Sequence, residues 1–132
     1  MRSVEKNAQL LQFLICKEFR EAGQDRFSAE SIHSNIYTSE FPVSLDEFYV
    51  VTCWQKDEKF HKEVIEYQTD YGAPIRTPHM DIERITDSVL FRWHKHPFPA
   101  HFMIEKPTLL TIRVILDTKP LFESHILIEK KP

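Results

Sequence analysis

Lys106 to Lys131 reads KPTLLTIRVILDTKPLFESHILIEKK, and its two alternating runs about a single turn decide the fold class. In the first run Leu110, Ile112, Val114 and Leu116 recur at period two, the spacing that lays side chains on one face of a strand. In the second, Phe122, Ser124, Ile126 and Ile128 keep one parity, with Glu123, His125 and Glu129 on the other. Asp117-Thr118-Lys119-Pro120 between them has turn chemistry, because Asp can bond its own backbone and Pro fixes φ. A hairpin with one apolar face must bury that face against a second layer.

Segments upstream supply the layer. Phe48 to Gln55 is β-branched and aromatic throughout, a strand composition. The charged Lys56-Asp57-Glu58-Lys59 reads as a hairpin turn into Phe60 to Thr69, where Ile65 and Tyr67 are in phase. Ser88 to His96 alternates, with Val89, Phe91 and Trp93 expected on the core face and Leu90, Arg92, His94 and His96 on the polar one. Ile75 to Ile85 is short, polar and broken by Pro78, which suits an edge strand whose acids (Asp81, Glu83 and Asp87) are solvated. Phe27 to Tyr37 reads as a weaker strand, and Thr38 to Glu47, with Pro42, as a connection from one sheet to another. Strands at short intervals predict an all-β, antiparallel β-sandwich of two packed sheets, immunoglobulin-like or similar. Residues 1–132 show no linker or repeat, so a single domain is expected.

Val4 to Ala22 reads two ways. Leu11, Leu14, Ile15 and Phe19 make a helical stripe with Gly23 at a C-cap position. Leu11, Phe13 and Ile15 equally make one strand face, with Leu10, Leu14 and Cys16 on the other.

Composition narrows the function classes. Hydrophobic residues make up 42% and charged residues 28%, a globular balance, and no apolar run approaches the ~20 residues of a membrane span. A formal net charge of −3, with no basic stripe, argues against a nucleic-acid binder. The start MRSVEKNAQ lacks the basic-then-apolar layout of a secretory signal, so a cytoplasmic location is expected, with Cys16 and Cys53 as reduced, buried thiols. Only two glycines are present, so turns fall to Asp, Asn, Ser and eight prolines.

Taken together, Leu14-Ile15-Cys16 with Glu18, the segment Phe27 to Ile36, Phe41-Pro42 leading into Phe48-Tyr49-Val50-Val51, and Ile112 to Asp117 followed by Leu121 to Ile128 carry a resemblance. The chain resembles a bacterial family of small, uncharacterised β-sandwich proteins, a domain of unknown function. The resemblance implies that the first segment is a strand, and it carries no catalysis. Where such proteins open the last hairpin with Gly-x-Tyr and turn on Asp-Gly, this chain has Thr108-Leu109-Leu110 and Asp117-Thr118.

Two constellations are candidates for function. Phe98 and Phe102, beside prolines in a loop, together with Trp93, suggest an exposed aromatic patch for a protein partner or a second copy of the chain. A non-enzymatic binding or self-associating module is therefore the leading expectation. The alternative is a metal-binding protein or metal-dependent hydrolase. His94 and His96, at i and i+2, project to one face of a strand, and His101 can fold back as a third ligand to zinc, with Glu105 or His79 as a fourth. A sugar or small ligand stacked on Trp54 or Trp93 is a third reading. Catalytic thiols, phosphate loops and nucleophile elbows have no counterpart in the sequence.

Overall fold

A computed structural model of the chain describes residues 7–132. Residues 1–6, and with them Val4 to Lys6 of the first segment and most of MRSVEKNAQ, lie outside the described residues. Twelve strands follow in order among the described residues: β1 (Gln9–Gly23), β2 (Arg26–Ile32), β3 (Ile36–Thr38), β4 (Val43–Ser44), β5 (Tyr49–Gln55), β6 (His61–Gln68), β7 (Ile75–Arg76), β8 (Met80–Ile82), β9 (Phe91–Pro97), β10 (Met103–Ile104), β11 (Thr108–Leu116) and β12 (Lys119–Lys130). One sheet has the order β2-β1-β5-β9; the other runs β3-β12-β11-β6-β7, with β8 also on β6, and β4 pairs with β10 apart from both. All pairings are antiparallel except β12 with β3. The architecture is a β-sandwich. No helix among the described residues is long and apolar enough to cross a membrane.

The core lies between the two sheets. From one sheet come Ile15, Val50 and Trp54; from the other come Ile65, Tyr67, Leu110, Ile112, Val114, Ile126 and Ile128. The final hairpin forms as its alternation dictates, with Leu110 opposite Ile126 and Ile112 opposite Ser124. Its turn sits between Leu116 and Lys119, and both turn residues are left-handed, Asp117 at φ 50° and Thr118 at φ 73°. Two positive φ values are what a two-residue turn needs to follow the strand twist. Asp and Thr here adopt a conformation that Asp-Gly would reach with less strain.

The first segment is a strand, paired with β5 from Gln9–Gln55 to Cys16–Tyr49. Its helical stripe loses because both strand faces find cover. On the inner face Phe13 and Ile15 stand beside Thr52 and Val50. The outer face is covered by the strand's own far end. Gln12 is level with Cys53 and Trp93, so on a straight strand Phe19, seven residues on, would lie roughly 23 Å from Trp93. Instead the Phe19 and Phe27 ring centroids are 5.5 and 5.0 Å from that of Trp93. The β1–β2 hairpin therefore bends back as an arm over the outer face, and Cys16, Val51 and Cys53 are buried there.

Three local expectations change. Lys56 to Lys59 is not a hairpin turn: β5 and β6 belong to different sheets, and this segment crosses between them with Lys56 and Asp57 buried. The segment from Phe27 to Tyr37 divides into β2 and β3, which join opposite sheets. The faces of β9 are reversed. His94 and His96 point inward and are buried, whereas Phe91 is exposed and Trp93 lies under the arm. The arm gives Trp93 an apolar contact on the outside, and a carboxylate gives the histidines a polar partner inside.

Candidate functional site

The inner face of β9 places His94 opposite Thr52 and His96 opposite Val50. Trp54 lies two residues beyond Thr52 on the same face of β5. From the facing sheet, β6 contributes Glu63, which shares the parity of Ile65 and Tyr67 and so points into the core. Its Oε1 accepts hydrogen bonds from Thr52 Oγ1 at 2.9 Å, His94 Nδ1 at 2.6 Å and His96 Nε2 at 2.8 Å. Its Oε2 accepts the Trp54 indole N–H at 2.7 Å. Four donors converge on one carboxylate, as a charge withdrawn from water requires.

Exposure of Glu63 and His96 is 0%, and that of the His94 side chain is 8%. Burial alone would push the Glu63 carboxyl up. The hydrogen bonds from His94 and His96, the field of His96 and the Trp54 N–H outweigh it and hold the carboxyl at about 2. The second nitrogen of His94, Nε2, meets the Asp81 carbonyl oxygen at 3.0 Å. Both His94 nitrogens thus face oxygen atoms. His96 differs, because its buried Nδ1 has no hydrogen-bond partner among the described residues.

The histidine pair read from the sequence is therefore assembled, with a different third member. Ligating atoms of Glu63, His94 and His96 lie within 4.8 Å of one another. His101 and Glu105 are exposed, and the Glu105 amide donates to Tyr71. His79 is also exposed, with Asp81 at 3.5 Å. None of these three joins the cluster. Glu63 went unnoticed in the sequence although it carried a signal, being a carboxylate on the core parity of β6.

The aromatic patch does not form. Phe98 and Phe102 are 2% and 6% exposed, with ring centroids 4.7 and 6.0 Å from that of Tyr67. The proline corner after β9 tucks inward, its Phe98 amide donating to the Phe48 carbonyl. Trp93 stacks under the arm and does not join them.

A second polar cluster ties two chain turns together. His61 Nε2 lies 2.8 Å from Asp57 Oδ1 and Nδ1 lies 2.5 Å from Asp117 Oδ2. Asp57 also accepts from the Ala8 and Lys59 amides, and Asp117 from the Lys62 amide. Burial lowers the His61 ring, but the hydrogen bonds and charges of Asp117 and Asp57 raise it further, for a net upward shift.

One side of the sandwich is open. Strand β2 pairs with β1 only from Cys16 onward, and His33 donates to the Ile15 carbonyl. Strand β3 meets β12 only from Ile128 onward, and Asn35 accepts the Leu127 amide. Among the described residues, no strand pairs with the outer edges of Gln9–Leu14 or Lys119–Ile126. Both edges border one cleft of about 760 Å³, lined by Leu10, Leu11, Phe13, Trp54, Leu121 and Phe122 among others. Phe13 and Phe122 touch across it, with centroids 4.9 Å apart.

Comparison of the chain with protein-family models and with curated proteins returned no match.

Proposed function

We propose that this protein is a non-enzymatic protein-binding module that receives an extended partner segment by strand addition at the open side of its sandwich. One observation carries this reading: among the described residues, two unpaired strand edges, one in each sheet, flank a single cleft lined by apolar side chains together with Gln9 and Gln12. An unpaired edge presents a row of amide and carbonyl groups that another chain can match, and alternate side chains of that chain would enter the cleft. Leu121 and Leu11, at 54% and 42% exposure, are the apolar rim. The Glu63 cluster, by contrast, is buried, with Glu63 and His96 at 0% exposure, which weighs against hydrolysis. Two buried cysteines suit a reducing, cytoplasmic setting. Cys16 is level with Tyr49, four residues from Cys53, so the thiols stand roughly 13 Å apart along the sheet, beyond disulfide reach.

A random peptide display library tests the proposal. Selected peptides should show alternating apolar residues, protect amides of 9–14 and 119–126 from hydrogen exchange, and lose at least about tenfold in affinity on Leu11→Lys/Leu121→Lys. Selection of no peptide, or protection confined to other segments, would refute it. Sedimentation of the wild type across concentrations identifies the case in which the partner strand comes from a second copy.

A further inference from the structure

We propose that Glu63, His94 and His96 bind one divalent transition-metal ion, zinc by ligand type, as a structural clamp between the two sheets. The donor set is one carboxylate and two imidazoles, a combination suited to zinc and its neighbours in the first row. The atoms already converge, with Glu63 Oε1 standing 2.6 Å from His94 Nδ1 and 2.8 Å from His96 Nε2. Of the two imidazoles, His94 is oriented as a metal ligand is. His94 donates its far nitrogen to the Asp81 carbonyl, which turns Nδ1 toward the carboxylate. Trp54 occupies Glu63 Oε2, which leaves Oε1 for the centre of the cluster.

Two ligands about 2.0–2.1 Å from zinc at a tetrahedral angle lie roughly 3.3 Å apart, so loading widens the present 2.6 and 2.8 Å separations by about 0.5–0.7 Å. Three protein ligands leave the fourth zinc position to a water or to Thr52 Oγ1, which stands 2.9 Å from Glu63 Oε1, and near-complete burial gives the ion a structural part. A cavity of about 330 Å³ beside β9, lined by Pro78, Met80, Phe98 and others, reaches His96 but not Glu63 or His94. Because His94 and His96 sit on β9 and Glu63 on β6, the ion would join strands of opposite sheets.

The test uses the full, untagged chain. Because folded protein would admit a metal slowly, the chain is unfolded in urea with chelator, exchanged free of it, and refolded with zinc. About one zinc per chain should survive gel filtration. X-ray absorption should show only nitrogen and oxygen ligands near 2.0–2.1 Å, with scattering from two imidazoles. The melting temperature should rise above that of chelated protein, and His79→Ala/His101→Ala should retain the zinc. His94→Asn should lose it; should that variant fail to fold, the absorption spectrum of the wild type still decides. No retained zinc, an imidazole count other than two, or loss of zinc in the His79/His101 variant would each overturn the proposal.

Discussion

Replacing Glu63 by Gln, in chelated protein, should cost about 3–5 kcal/mol of folding stability, the range for breaking a buried charge pair on one side. The figure can be built from the contacts. A Gln amide keeps the shape but has one accepting oxygen. Turned so that this oxygen meets Thr52, His94 and His96, its NH₂ faces the Trp54 indole N–H across 2.7 Å. That leaves a buried donor without an acceptor, worth about 1–3 kcal/mol, and His94 and His96 exchange a charged acceptor for a neutral one, worth a similar amount. Against a total stability of roughly 5–15 kcal/mol, the variant would be marginal. Urea unfolding at neutral pH, followed by fluorescence, measures the difference. The acid limb supplies a second reading. Because the Glu63 carboxyl is lowered from 4.5 to about 2 by folding, its contribution is full above about 4.5 and is lost as pH falls toward 2. The Gln variant should lack that part of the acid transition. Replacing the whole set by apolar residues (Thr52→Val, Trp54→Phe, Glu63→Leu, His94→Leu, His96→Leu) should recover most of the loss, because of the groups around Glu63 only the Asp81 carbonyl then loses its donor. A Glu63→Gln protein within about 1 kcal/mol of wild type would refute a charged, fully engaged carboxylate.

Three further outcomes are expected. Thr118→Gly should raise stability by about 1 kcal/mol with an unchanged urea slope, since a β-branched residue now holds φ 73°. Phe98→Ala should cost about 3–5 kcal/mol, because the ring fills the core against Tyr67 and Phe48; a loss under about 1 kcal/mol would return Phe98 to the surface. The His61 clasp should be strongest from about pH 4 to about 6.5. The raised His61 ring contributes fully below its unfolded value of about 6.5 and loses its contribution as pH rises through the folded one, while the lowered Asp57 and Asp117 lose theirs as pH falls below about 4. Urea midpoints at about pH 5.5 and about pH 9 should therefore differ less in His61→Asn than in wild type.

Local alternation made the final hairpin legible, because period two needs no knowledge of distant residues. It reveals that a strand has two unlike faces; it does not say which one is inside. On β9 that choice was made by Glu63, 31 residues earlier in the chain, and by the β1–β2 arm on the outside. With both in place, imidazoles are the inward residues and an indole the outward one, contrary to the usual ranking of apolar character. Phe98 and Phe102 misled for a related reason. Prolines mark a corner in the chain, and a corner can turn toward the core as readily as away from it. Lys56 to Lys59 looked solvated because it is charged. Asp57 is buried there because His61 and two backbone amides satisfy it, and a partner 56 residues from His61, Asp117, completes the group.

The folded-back arm also separates the two tryptophans optically. Trp54 is fully buried, its indole N–H held by Glu63, and it senses the interior alone. Trp93 is partly exposed and packs against the stacked pair Phe19 and Phe27, so its emission depends on whether the arm stays docked. Phenylalanine at one position or the other gives two single-tryptophan proteins. The one retaining Trp93 would report the lifting of an outer flap, and the one retaining Trp54 the parting of the two sheets. Any difference between their unfolding curves measures how far the third layer of this sandwich behaves as an independent unit.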